Sequence, residues 1–216
     1  MKIHYEIEQH SEEWFRKKWG KIGGTRSKQI LIKSDTLLID LLAELTEPFD
    51  EDNDENYKSD AMENGSFLEP QARIELTKYC GVEFLEVGWI QSDNPLLGVS
   101  PDGISECATI GCEIKCPQAK EHLRTCLTNE IPLKHIDQCV HNFQVNTKLK
   151  EFYFMSYRPE SIKPMFVKKL TRESLVNIGT DAKPVIKTIT EVIELKETAV
   201  KQLEVKIKES LNKLKF

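Results

Sequence analysis

Two carboxylates and an amine stand close together in the stretch LLGVSPDGISECATIGCEIKCP, Leu96 to Pro117. Asp102 lies in a Pro-Asp-Gly turn that closes one strand-like run, and Glu113 and Lys115 lie two apart on the next. Side chains two apart on an extended chain face the same side. If the two runs pair as a hairpin, Asp102 approaches that same face. The two carboxylates and the backbone carbonyl of Ile114 then form an all-oxygen donor set, which suits Mg²⁺ or Mn²⁺. A bound dication lowers the pKa of its water toward neutrality. Lys115 beside it would orient that water or take its proton. This is the equipment for hydrolysing a phosphodiester. The same residues also have an ordinary reading, because Pro-Asp-Gly is common turn chemistry and Glu and Lys often alternate on a solvated strand. Their setting weighs against it. IGCEIKCP reads as a strand of the sheet interior, where an unpaired charge is costly.

Other elements must bring this stretch into shape. SEEWFRKKWG reads as a helix capped by Ser11 and stopped at Gly20. TRSKQILI reads as a short helix opened by Thr25, and SDTLLIDLLAEL as an amphipathic helix begun by Ser34 or Asp35. SFLEPQARIELTKYCG carries a capping-box pattern in Ser66 and Glu69, with Gly81 as its stop. VEFLEVGWI, LLGVSPDGIS and TIGCEIKCP read as strands. Helices follow near AKEHLRTCLTN and LKHIDQCVHNFQVN, then strands at EFYFMSYRP and PMFVKKLTR, then a long amphipathic helix over about 188–216. The order predicts one domain over 1–216, mixed α/β or α+β, with a central mixed β-sheet flanked by helices.

The bulk numbers set limits. At 216 residues, 39% hydrophobic and 30% charged, the chain can bury a proper core and has an ordinary soluble composition. The longest apolar runs fall well short of a membrane span, and the N-terminus lacks an apolar signal core, so a cytoplasmic protein is expected. The six cysteines include no CxxC pair and read as small buried thiols rather than as a zinc site. The net charge of −5 is concentrated in EPFDEDNDENYKSD, residues 47–60, which is expected to be a mobile acidic loop. Asp50, Asp52 and Asp54 alternate there as in a calcium loop. The pattern then fails, with Glu55 where Gly is needed and Ala61 where the bidentate Glu belongs.

GVSPDGI followed by CEIKCP resembles the active-site signature of the phage lambda exonuclease family, the YqaJ-type viral recombinases of the PD-(D/E)xK nuclease superfamily. The likeness runs from about Ser11 to Arg158. SEEWFRKKWGKIGGTRSKQI is similar to the family's N-terminal motif, with Lys18 where arginine is common and Thr25 where serine is. SFLEPQARIEL resembles the helix with the family's further glutamate, here Glu69. HIDQCVHNFQVN resembles its glutamine helix, keeping Gln138 but with Val140 at the second glutamine position; Gln144 stands nearby. The resemblance implies Asp102, Glu113, Glu69 and the Ile114 carbonyl as metal ligands, Lys115 as the water-activating group and Gln138 at the site. It implies Lys18, Thr25 and Ser100 as contacts to phosphate. It further implies two Mg²⁺ per site with Mn²⁺ as substitute, 5′→3′ digestion of linear double-stranded DNA, a trimeric ring and a single-strand annealing partner, in phage-type recombination. The alternatives are an endonuclease or Cas4-like nuclease of the same superfamily and a non-catalytic module that binds DNA ends. The missing cysteine cluster argues against the iron–sulfur type. Intact Asp102, Glu113 and Lys115 argue against the non-catalytic one.

Overall fold

The computed structural model describes residues 1–32, 34–49 and 60–214. Most of the acidic loop expected at 47–60 lies outside the described residues.

The central sheet has four strands in the order β4 (Gly103–Ile104), β5 (Ile110–Lys115), β6 (Glu151–Tyr157) and β7 (Met165–Leu170). β4 and β5 form the expected antiparallel hairpin, with Gly103 opposite Cys112; the Pro-Asp-Gly segment leads into β4, and the chain turns at residues 105–109. β5 and β6 are parallel, and the chain between them crosses over through α4 (Ala119–Thr128) and α5 (Leu133–Val145). β6 alternates strictly. Phe152 and Phe154 join a core with α5 and the start of α6 (Ile189–Leu214), while Tyr153, Met155 and Tyr157 join a second core against α3 (Asp60–Cys80). Both faces of the sheet are therefore covered, which is why β5 and β6 read as nearly continuous apolar runs.

A smaller antiparallel sheet pairs β1 (Lys2–His4), β2 (Trp89–Gln91) and β3 (Gly98–Val99). With α2 (Thr36–Thr46) and the middle of α6 it closes a third core around Ile22, Leu41 and Ile90. β8 (Leu175–Asn177) and β9 (Ile186–Thr188) make a separate hairpin. Among the described residues, no helix is long and apolar enough to cross a membrane.

Several sequence expectations need correction. α3 begins at Asp60, so Ser66 lies inside the helix instead of capping it, and Pro70 is carried within it. Its stop holds, since Gly81 takes φ +70, where a side chain would be strained. Thr25 does not open a helix. It lies in a turn, and a short 3-10 helix follows at Ser27–Leu31 with Arg26 at its cap. VEFLEVGWI supplies only Trp89 and Ile90 to a named strand, β2. β1, β8 and β9 were not anticipated. Ser11 does cap α1 (Glu12–Lys18), accepting from the Trp14 amide at 3.3 Å.

Candidate active site

β4 is two residues long, and its pairing with β5 ends early. Asp102, just before β4, donates its amide to the Cys112 carbonyl at 3.1 Å. Its side chain then does what the next strand residue would have done: Oδ2 accepts from the Ile114 amide at 2.6 Å. The amide and carbonyl of one strand residue project to the same edge. The Ile114 carbonyl therefore faces the edge that Asp102 occupies, as an all-oxygen site requires.

Glu113 and Lys115 share a face, as their spacing demands. The Lys115 ammonium lies 2.5 Å from Glu113 Oε1 and 3.9 Å from Asp102 Oδ2. Glu113 is fully buried, and its Oε2 has no hydrogen-bond partner among the described residues. A buried carboxylate in that condition is expensive. Burial, and then the charge of Asp102, push its pKa up to about 8. Glu69 reaches the same cluster from α3. Its pKa is raised to about 7, first by burial and then by Asp102. Arg73, one helical turn on, holds Glu69 Oε1 at 3.0 Å and also binds Glu86. Burial works to deprotonate Lys115, but the charges of Glu113 and Asp102 override it and hold the amine protonated. Among the described residues, no three His, Cys, Asp or Glu side chains form a ready-made cage for a cation. The cluster is instead an excess of acid, held together by one lysine and one arginine.

These groups open on a cleft of about 470 Å³. Glu69, Ser100, Asp102, Glu113, Ile114, Lys115, Gln138, Lys18 and Thr25 all line it, so every site residue singled out in the sequence converges there. The phosphate-binding candidates thus share one cleft with the acids. The Lys18 ammonium sits 3.6 Å from the centroid of the Trp14 ring. Trp14 is a buried bracket: its indole N–H lies 3.0 Å from the Gly88 carbonyl and 2.7 Å from Ser100 Oγ. Ser100 in turn donates to Gly88 at 2.6 Å. Its hydroxyl is engaged on both sides within the fold. The turn bearing Thr25 is fastened to α2 by Arg26, whose two terminal guanidinium nitrogens bind Glu44. It lies so close to α5 that a Cβ on Gly24 would come within 3.0 Å of Gln138 Cγ. Gln144 does not line the cleft; it packs in the core against His141 at 3.1 Å.

Some lining residues escaped sequence reasoning. Gln9 and His10 reach the cleft because β1 pairs with β2, and nothing local in the sequence signals that pairing. Arg73, which holds Glu69 from outside this cleft, was also missed; its place four residues after Glu69 on one helix face was the available signal. Lys134 and His135 also line the wall, with Lys134 paired to Glu121 at 2.6 Å. Burial, and then Lys115, push the His135 pKa down to about 3, so its ring is neutral.

The chain is similar in structure to an alkaline exonuclease, LHK-Exo, from Laribacter hongkongensis. The match has a TM-score of 0.71 and 25% identity over 94% of this chain and 98% of that one. The same values hold for that enzyme in complex with dAMP. No curated protein sequence matches the chain. Residues 13–149 match the model of the YqaJ-like viral recombinase domain, a span of more than half the chain that holds Asp102, Glu113, Lys115 and Gln138. The chain therefore belongs to the YqaJ-like viral recombinase family.

Proposed function

We propose that this protein is a Mg²⁺-dependent deoxyribonuclease that digests one strand of linear duplex DNA from a 5′ end. One observation carries the reading. Glu113 is fully buried beside Asp102, with a carboxylate oxygen left unpartnered on the wall of an open cleft. A purely structural ion pair would satisfy both oxygens. The donor chemistry fits a hard dication: Asp102, Glu113 and the Ile114 carbonyl would hold it, and Glu69 would reach a second. When bound, such ions supply a nucleophilic water near neutral pH and charge stabilisation for the leaving oxygen.

The chain's own groups do the rest. Asp102 and Glu113 hold Lys115 protonated through their charge. Neutralising that charge leaves burial in control, and burial favours the free amine. Lys115 is then able to take a proton from water at the scissile phosphate. Gln138, Thr25 and Lys18 lie along the same cleft, where they would seat the terminal phosphate of the digested strand. Ser100 supports that seat by fixing Trp14 under Lys18. The dAMP complex of the similar exonuclease favours release of mononucleotides. In the same reading the chain works as a ring-shaped homo-oligomer with a single-strand annealing partner, in the cytoplasm. An acidic protein needs such an arrangement to bring its basic segments, Arg16 to Lys28 and Lys163 to Arg172, around a polyanion.

The test is release of acid-soluble nucleotides from linear duplexes labelled at either end, with Mg²⁺, Mn²⁺, Ca²⁺ or EDTA. Loss of the 5′ label first, with Mg²⁺ or Mn²⁺ only, is expected. Full activity in EDTA, or cleavage of closed circles at the same rate, would refute the proposal.

A further inference from the structure

Lys196 is fully buried, although it sits on α6, far along the chain from the cleft. Its ammonium donates to Asp137 Oδ1 at 2.7 Å and to the Ser27 carbonyl at 3.0 Å. Asp137 adjoins Gln138 on α5, and Ser27 follows the turn that carries Gly24 and Thr25. The Ser27 hydroxyl completes the join, lying 2.7 Å from the Gly24 carbonyl and 3.0 Å from the Asp137 carbonyl. One ammonium therefore ties together the two elements that meet where Gly24 touches Gln138. Burying an ion pair is seldom the best way to stabilise a fold, because desolvation offsets most of the attraction. What it gives is direction: a lysine with both partners fixed tolerates little displacement of either.

We infer that Lys196 is a positioning residue for end recognition, holding the Gly23–Thr25 turn against Gln138 at the distance that a terminal phosphate requires. The inference rests on the phosphate seat proposed above. It adds that the C-terminal helix sets the seat without touching DNA there. The metal cluster is tied separately, through the β4–β5 hairpin and α3.

The experiment uses Lys196→Met/Asp137→Leu, which removes both charges together, and Asp137→Asn, which keeps shape. Initial rates are measured on linear duplexes that differ only in a 5′-phosphate or 5′-hydroxyl, with KM and kcat separated. Hydrolysis of bis(p-nitrophenyl) phosphate, which has no end to seat, reads the metal cluster alone. In the double variant the phosphate-to-hydroxyl rate ratio is expected to fall roughly tenfold, the scale of a hydrogen bond to a charged group. The loss should appear in KM, with diester hydrolysis unchanged. A folded variant that keeps the wild-type ratio, or that loses diester hydrolysis in equal measure, would overturn the inference. If the double variant does not fold, the ratio in Asp137→Asn decides in the same way. Equal wild-type rates on the two ends would sink the phosphate seat itself. A wild-type preference that the folded variants retain would sink only the role of Lys196.

Discussion

Asp102, Glu113 and Lys115 come from one hairpin, and a single strand pairing places them. Lys18, Thr25 and Gln138 come from α1, a turn and α5, and at least four tertiary ties place them: Trp14 to Ser100, Arg26 to Glu44, Ser27 to Asp137 and Lys196 to both sides. The first region is buried and overloaded with acid. The second is partly open and rests on side-chain ties from several elements, to backbone carbonyls and to other side chains. In the hairpin, function sets residues against stability. In the turn, function depends on stability elsewhere.

The sharpest way to break this contrast is in the hairpin. Lys115→Ala should reduce nucleolysis by about 10²–10⁴-fold, as loss of a general base does, with DNA binding retained. Glu113→Gln should be as inactive and yet sturdier. Burial and Asp102 raise the Glu113 pKa to about 8 in the folded chain, against 4.5 ordinarily. Its contribution to stability is then full below about 4.5 and is lost as pH rises through about 8. In EDTA at pH 8.5, Glu113→Gln should therefore melt above the wild type. A lower melting temperature would mean that Lys115 alone satisfies Glu113, with no need of a bound dication.

The turn region should fail in the opposite pH direction. His141 is fully buried on α5, with Nε2 3.0 Å from the carbonyls of both Ile22 and Gly98. A neutral ring with its proton on Nε2 donates to them; Nδ1 lies 3.1 Å from Gln144 Oε1, and with that amide turned end for end Nδ1 accepts from the otherwise unpartnered Gln144 Nε2. Burial, and then Lys196, lower the His141 pKa from 6.5 to about 4. Stability from the neutral ring is full above about 6.5 and is lost as pH falls toward about 4. The whole interval corresponds to about 3 kcal/mol. Melting temperature against pH should show this acid loss in the wild type and a much smaller one in His141→Gln. Equal slopes would remove His141 from the account.

Smaller effects separate contact from support within the seat. Lys18→Ala should erase most of any preference for 5′-phosphorylated ends, an effect that shrinks at high salt because the charge is near solvent. Ser100→Ala should instead lower stability by about 1 kcal/mol, since its hydroxyl is already engaged by Gly88 and Trp14. It should change end preference less than Lys18→Ala does. The reverse order would make Ser100 the phosphate ligand.

The same contrast explains what could be read from the sequence. The hairpin was legible because strand periodicity alone puts Glu113 and Lys115 on one face. The helices α1, α2, α4, α5 and α6 were legible because each has its own apolar stripe or cap. Glu69 carried its signal in a family motif, but its capping-box reading failed because α3 extends upstream to Asp60. Thr25 was placed in the cleft yet assigned the wrong local structure, since a turn held by Arg26–Glu44 and Lys196 depends on residues far along the chain. Gln9 and His10 were invisible for the same reason: the β1–β2 pairing joins residues 2–4 to 89–91.

The short β4 has a further consequence. Among the described residues no strand pairs with the outer edge of β5 past Cys112, and an open edge of an apolar strand is a template on which another chain can add. Here the Ile114 amide is taken by Asp102, and the neighbouring positions carry Glu113 and Lys115. The proposed catalytic groups thus also guard a sticky edge: a strand that tried to dock would have to displace a carboxylate and bury further charge. The residues proposed to act on DNA would also make the sheet unattractive to other proteins. A chain that lost them to drift would lose the proposed chemistry and the charge that blocks this edge in the same step.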